Sequence, residues 1–326
     1  MTPTVCLDTY WRFAAERQAT YLRRLASTVG PWTDDPILRE YRFTNPYRAA
    51  DRVSQYLIRE VQYADHRSQA PVDVFFRTML FKLFNNVTTW ELLELGLGPI
   101  EFNGFNWDGA VTILDGIFAG KTPVYSAAYI MPDIPSYGGG RKHANHLRLL
   151  YKMVADELPA RMQQARGLKQ VYDLLLAYSG LGPFLAFQYT IDLNYSSLID
   201  HDEASFVVCG PGALDGISKC FSDIGRRKPE DVVMLITQHQ DYEFARLGIE
   251  FPGLFGRRLQ PIDCQNLFCE ISKYSRVAHP EIKGKAGRER IKQKYNRAVG
   301  APMPDPFFPP KWGINDAISV KREGIL

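Results

Sequence analysis

Leu174-Leu-Leu-Ala-Tyr-Ser-Gly-Leu-Gly-Pro-Phe-Leu-Ala-Phe-Gln-Tyr189 joins two apolar helical runs through glycines at 180 and 182. Glycines one residue apart permit a tight turn and leave backbone N–H groups exposed where the next helix begins. Such a turn suits one DNA phosphate; an ordinary helix–helix turn is the other reading. Helical periodicity dominates on both sides of it. Helices are expected at 7–29, from the Thr44-Asn45-Pro46 start to about 64, and at 72–86, 89–95 and 106–118. Others are expected at 142–157, 167–178, 183–191, 213–223, 229–247 and 262–276. Strand signals are few, the best being 205–208 and 124–130. The fold class is therefore all-α, or mostly helical. A single helical domain is expected over 1–299, with the hairpin near 174–190. The proline density of 300–313 forbids a helix there, so 300–326 reads as an extended C-terminal arm.

Composition narrows the class. The 326 residues are 45% hydrophobic and 23% charged, which fits a globular core rather than a disordered chain. No apolar run approaches the roughly 18–20 residues of a membrane span, and no signal peptide is visible, so a cytoplasmic protein without a membrane partner is expected. The scattered Cys6, Cys209, Cys220, Cys264 and Cys269 complete no zinc set and read as reduced, mostly buried thiols. Net charge is only +3, but the distribution is uneven. Lys273, Arg276, Lys283, Lys285, Arg288, Arg290, Lys292, Lys294 and Arg297 face only Glu281 and Glu289 along the same stretch. Such a run suits a phosphate backbone, with a solvated face or tail as the plainer alternative.

Beyond Gly182, at a distance of about twenty residues, lie Asp200, His201, Asp202 and Glu203. Here the chain resembles helix-hairpin-helix DNA glycosylases, whose catalytic aspartate follows the hairpin glycine at about that spacing. The resemblance implies a carboxylate that stabilises an oxocarbenium-like sugar cation or orients water as the glycosidic bond breaks. Bifunctional members carry a lysine two residues after the second hairpin glycine; Phe184 stands there, which implies a monofunctional enzyme without lyase activity. A solvated acidic loop is the alternative.

Three further segments carry chemistry. Gly210-Pro211-Gly212 opening a helix is either a backbone nest for an anion or a tight structural turn. On a 262–276 helix, Asp263, Asn266, Glu270 and Lys273 share a face, with Gln265 nearby, and suggest a lined pocket, a solvent face with ion pairs being the plainer reading. Asp263 reads equally well as the helix N-cap. Finally Arg48, Asp51, Arg52, Gln55 and Arg59 are spaced for one helix face, while Phe43 and Tyr47 could stack on an unpaired base and Asn45 supplies an amide; an Asp–Arg structural network is the plainer reading.

Together these segments resemble the alpha-glutamyl/putrescinyl thymine pyrophosphorylase family, a helical branch related to the helix-hairpin-helix glycosylases. The resemblance rests on Phe-Thr-Asn-x-Tyr-Arg-x-x-Asp-Arg-x-x-Gln at 43–55 and on Phe84-Asn85 followed by Thr89-Trp90-Glu91. It rests also on Gly-Pro-Gly-Ala-x-x-Gly-Ile at 210–217 and Asp-x-Gln-Asn-x-x-Cys-Glu-x-x-Lys-Tyr at 263–274. It implies chemistry at hypermodified pyrimidines of phage DNA.

The expectation is a monomeric, antiviral DNA glycosylase that flips a modified pyrimidine into a pocket lined by the 43–55 and 263–274 segments. DNA would be held by Gly180, Gly182, Gly210, Gly212, Lys283, Lys285, Arg288 and Arg290. Asp202, Asp200 and Asp263 are the candidate catalytic carboxylates, ahead of Glu203 and Glu270. No metal, nucleotide or other cofactor is expected. The alternatives are a transferase that installs the modification on an activated thymine, and a non-catalytic reader of modified DNA. Two motifs are set aside. Gly116-x3-Gly120-Lys121-Thr122 has one residue too few between its glycines for a phosphate-binding loop. His143 and His146 have no carboxylate at ligand spacing and read as satisfied histidines or phosphate contacts at a helix start.

Overall fold

The computed structural model describes residues 1–295 and 303–318. Arg297 and residues 300–302 and 319–326 of the expected arm lie outside the described residues. The chain divides into two compact units, Met1–Asp51 with Phe206–Leu326, and Arg52–Ser205. Both are helical, as the periodicity predicts.

The first unit is built on three helices, Val5–Ala26, Pro211–Cys220 and Pro261–Ala278. Thr4 caps the first, its hydroxyl accepting the Cys6 N–H at 3.2 Å, with Asp8 in the first turn and Arg23 and Arg24 in the last. Its buried face runs through Leu7, Tyr10, Trp11, Ala14, Gln18, Tyr21 and Leu25, a three-and-four spacing. The Pro261–Ala278 helix starts with proline in its first turn and a capping box, in which Asp263 Oδ2 accepts the Gln260 N–H at 3.0 Å. The 211–220 and 261–278 helices meet at two glycines one turn apart. A Cβ on Gly216 would stand 1.8 Å from the Phe268 carbonyl oxygen, and one on Gly212 2.3 Å from Cys269 Sγ. Only glycine lets these two backbones approach so closely.

In the second unit the Pro71–Phe84 helix is buried almost all round, and Lys142–Ala155 and Pro183–Tyr195 pack on it. Arg77, fully buried, donates from Nε to the Val61 carbonyl at 3.0 Å and from a terminal nitrogen to the Ser68 carbonyl at 2.7 Å. It thereby ties down a wide-wound stretch at Leu57–Gln62 whose carbonyls lack ordinary helical partners. The expected hairpin is present: Leu168–Leu176 leads through Gly180 (φ +90°) and Gly182 into Pro183–Tyr195. Gly180 is needed for its backbone and for space, since a Cβ would meet Ile134 at 2.2 Å. Gly182 is exposed and caps the second helix with no side chain over its N–H groups.

Several expectations change. Residues 124–130 and 205–208 are not strands; the described pairing is Thr2–Pro3 with Phe221–Asp223, where the 213–223 helix was expected to continue. The run from 46 to 64 is not one helix. A short 3-10 turn at Arg48–Ala50 ends at Asp51, whose extended backbone (φ −71°, ψ 144°) breaks the register before Arg52–Tyr56 begins. Arg48, Asp51, Arg52, Gln55 and Arg59 therefore do not share a helix face. In the described part of the arm, Phe308 is buried and stacks on Trp312 at 6.0 Å, and the Arg257 guanidinium lies 3.9 Å from the Trp312 ring. Among the described residues no helix is long and apolar enough to cross a membrane.

Candidate functional site

The first unit gathers the polar residues of two sequence segments against each other. Glu270, buried on the 261–278 helix, accepts the Thr44 N–H at 3.1 Å and pairs with Lys273 Nζ at 2.6 Å. Asn266 donates to the Asn45 carbonyl at 3.0 Å and to Thr44 Oγ1 at 3.2 Å. Asp263 Oδ1 accepts the Arg48 N–H at 3.0 Å. Asp51 Oδ1 accepts the Asn45 N–H at 2.8 Å, and Asn45 Nδ2 donates to the Ala50 carbonyl at 2.8 Å. The 43–51 segment is irregular backbone, so these side chains satisfy the N–H and carbonyl groups that a helix would have satisfied internally. Lys273 Nζ also lies 5.5 Å from the Phe43 ring, and Tyr47 donates to the Arg257 carbonyl at 2.6 Å. Gln265 is buried on the same helix.

The electrostatics centre on Asp51. Burial raises its carboxyl from the usual carboxylate range to about 6, the Asn45 N–H and the Arg17 charge oppose that rise, and the Glu270 charge adds to it. Burial lowers the Arg17 guanidinium, against the pull of Asp51 and Glu270. Burial likewise raises the Tyr21 hydroxyl, with the Asp51 charge adding to the shift. Arg17 and Tyr21 lie one turn apart on the 5–26 helix, and the sequence reading missed both. Two polar atoms of this cluster, Tyr21 Oη and Asn45 Oδ1, are buried without a hydrogen-bond partner among the described residues. The arrangement thus combines a carboxylate that titrates near neutrality, a guanidinium, an unused amide oxygen and an unused hydroxyl.

The other expected site residues lie elsewhere. Asp200 and Asp202 are exposed in the second unit, where Asp202 Oδ1 caps the next turn by accepting the Ala204 N–H at 2.9 Å. Glu203 is buried beside them. Arg52 is exposed and Gln55 half-buried in the second unit. Gly210 caps the 211–220 helix and Gly212 is taken up by helix packing. Lys283, Lys285, Arg288 and Arg290 are all exposed on irregular backbone. The second unit also holds a buried ion pair that the sequence reading did not single out. Lys82 Nζ stands 3.2 Å from Asp192 Oδ2 and donates to Asn85 Oδ1 at 2.6 Å. Asn85 in turn holds the following loop through Ser126 Oγ at 3.0 Å.

His143 and His146 are satisfied histidines. His143 Nε2 is 2.9 Å from Asp115, while His146 accepts from Tyr125 Oη at 2.8 Å and donates to the Pro132 carbonyl at 2.8 Å. Burial pushes His146 down to about 4. Among the described residues no group of three or more His, Cys, Asp or Glu is arranged to hold a metal.

The comparisons with known proteins define the class. The family described as "5-hmdU DNA kinase, helical domain" matches residues 4–284, a span that takes in the 43–51 segment, the hairpin and the 261–278 helix. The chain belongs to that family. It is similar to a 5-hmdU DNA kinase of Bacillus phage SP10, 27% identical over an alignment of 284 residues that covers 82% of this chain and 44% of that protein. The chain spans less than half the length of this relative. No solved structure matches the chain.

These matches overturn the glycosylase reading. The family is one of DNA kinase helical domains, not of thymine pyrophosphorylases or base-excising hydrolases, and the catalytic roles given to Asp202, Asp200 and Asp263 fall with that chemistry. The geometry agrees for Asp263, whose two oxygens are both used by backbone N–H groups. The expectation that no nucleotide cofactor is needed is likewise overturned, because a kinase consumes a nucleoside triphosphate. The 116–122 string does not fit that group. Gly116 lies inside the Trp107–Ala119 helix, Gly120 ends it, and Lys121 (φ +59°) leaves from its C-terminal, electronegative end.

Proposed function

We propose that this chain recognises 5-hydroxymethyl-deoxyuridine in DNA and serves the phosphorylation of that base, with its two units working as one functional domain. The observation that carries the reading is the family match across residues 4–284. The cluster around Asp51 supports it chemically. A 5-hydroxymethyluracil ring offers an N3–H donor, two carbonyl acceptors and a hydroxyl. Asn45 Oδ1 is an unused acceptor for the ring N–H, while Arg17 and the Tyr21 hydroxyl are donors for the carbonyls. Asp51, ionised above about pH 6, accepts the hydrogen bond of the hydroxymethyl group and is the residue to take its proton. A base reaches such a cluster only out of the helical stack. DNA is engaged by the basic segment after Lys283 in the first unit. This reading is closest to the transferase alternative, since a group is added to the base and the glycosidic bond stays intact.

The test compares affinity for a duplex carrying one 5-hydroxymethyl-deoxyuridine with the same duplex carrying thymidine, for the chain and for Asp51→Asn. A hydrogen bond to a charged acceptor is worth about 1.5–3 kcal/mol, so a preference of at least about tenfold is expected, and Asp51→Asn shrinks it. Equal affinity for both duplexes overturns the reading.

A further inference from the structure

Residues 283–295 carry no helix or strand, yet the segment is held at both ends and in the middle. At its start, the buried Asp215 on the 211–220 helix accepts the Ala286 N–H at 2.7 Å through Oδ1 and the Ser272 hydroxyl at 2.5 Å through Oδ2. Gly284 lies flat against the same carboxylate, where a Cβ would come 2.2 Å from Oδ1. The Lys285 N–H donates to Ser218 Oγ at 3.2 Å. In the middle, Arg276 donates to the Arg290 carbonyl at 3.0 Å. At its end the segment pairs with the backbone leading into the 43–51 segment. The Arg42 N–H donates to the Gln293 carbonyl at 3.0 Å, and the Tyr295 N–H to the Glu40 carbonyl at 2.8 Å. Residues 40–42 run directly into the 43–51 segment, so the strip ends beside the stretch that carries Asp51.

Its side chains face the other way. Lys285, Arg288, Arg290 and Lys292 are exposed, and none has a carboxylate partner among the described residues. Lys283 and Lys294 are already neutralised, by Glu289 at 2.7 Å and Glu40 at 3.3 Å. A solvated tail needs no buried carboxylate to fix its backbone, because unordered lysines and arginines keep their rotamer and backbone entropy. The family match ends at residue 284, so Lys285, Arg288, Arg290 and Lys292 lie beyond it.

We propose that 284–295 is a prefolded strip that tracks the DNA backbone towards the Arg17–Asp51 cluster, and that Asp215 is the positioning residue that holds it in place. The inference rests on the reading that the chain acts on DNA. An anchored strip binds phosphates without first losing chain entropy, and each phosphate neutralised adds about 0.9 to the salt slope.

The experiment measures affinity of the full chain for a duplex across a salt series, with amide hydrogen exchange of 285–294 followed in parallel. Lys285→Ala/Arg288→Ala/Arg290→Ala/Lys292→Ala together are expected to reduce the salt slope by about 3–4. Asp215→Ala and Gly284→Ala are each expected to abolish exchange protection of the strip, to reduce the slope by about 1–2, and to weaken binding about tenfold at 0.1 M salt. Gly284→Ala leaves Asp215 and its buried neighbours in place, so it decides the matter should Asp215→Ala fail to fold. An unchanged slope in the quadruple variant, with the wild type still binding DNA, overturns the strip and leaves the proposed function standing. Loss of protection in Gly284→Ala with an unchanged slope overturns the positioning role. Absence of DNA binding by the wild type overturns the proposed function as well.

Discussion

Glu270 carries two separable jobs, and two substitutions pull them apart. Its carboxylate accepts the Thr44 N–H at 3.1 Å and pairs with Lys273 at 2.6 Å. Glu270→Ala leaves the Thr44 N–H without its partner, which costs about 1–3 kcal/mol, and frees a partly exposed Lys273, worth up to about 1 kcal/mol. The sum is a destabilisation of about 1–4 kcal/mol. Glu270→Gln keeps an oxygen for Thr44 and loses only the charge, so its cost is within about 1 kcal/mol. The charge has a second consequence. Glu270 is among the groups that hold the Asp51 carboxyl up at about 6, so removing it favours the ionised form and the Asp51 titration moves down. Urea unfolding gives the first quantity and a carbon-detected NMR titration of the Asp51 carboxyl gives the second. Equal destabilisation by both variants, or an Asp51 titration that stays put or rises in Glu270→Gln, refutes the assigned geometry.

Other outcomes follow from the same contacts. Gly216→Ala drives a Cβ into the Phe268 carbonyl, which belongs to a helix backbone and cannot swing aside; a loss of about 2–3 kcal/mol or more is expected in thermal or chemical unfolding. Because burial lowers His146 to about 4, its stabilising contribution is present above about pH 6.5 and is lost as pH falls towards 4. Hydrogen exchange in the 123–134 loop should therefore rise over that window in the wild type and not in His146→Gln. Asp51 has the opposite sign: its raised carboxyl favours the folded state below about pH 4, and that contribution disappears as pH rises through about 6. Asp51→Asn is accordingly expected to be more stable than the wild type at pH 8, by about 1–2 kcal/mol after allowing for its partial exposure, and no more stable at pH 4.

The helices were legible because their apolar spacing and proline starts are local signals, and the hairpin glycines at 180 and 182 are where a turn was read. The approach of 43–51 to the 261–278 helix was also legible, since both segments concentrate polar side chains beside apolar ones. What those side chains do there was not. Asp263, Asn266 and Glu270 spend most of their hydrogen-bonding capacity holding irregular backbone. The motifs that suggested a base-excising enzyme are thus spent on holding irregular backbone, which is how the resemblance misassigned the chemistry. Arg17 and Tyr21 were hidden because a lone arginine and tyrosine on an amphipathic helix carry no local sign of facing a carboxylate more than twenty-five residues on. Asp215 was hidden for the same reason, its partner Ala286 lying seventy-one residues away. The broken helix at Asp51 was missed because Arg48, Asp51, Arg52 and Gln55 happen to keep helical spacing across an extended residue.

The most direct measurement of the central claim is nucleoside mass spectrometry of DNA containing 5-hydroxymethyl-deoxyuridine, after incubation with the protein, magnesium and a nucleoside triphosphate. The account predicts the modified nucleoside heavier by one phosphoryl group, with thymidine unchanged and the glycosidic bonds intact, and the gain lost in Asp51→Asn. DNA that is bound but returned with every nucleoside mass unaltered, or with the base missing, would contradict it.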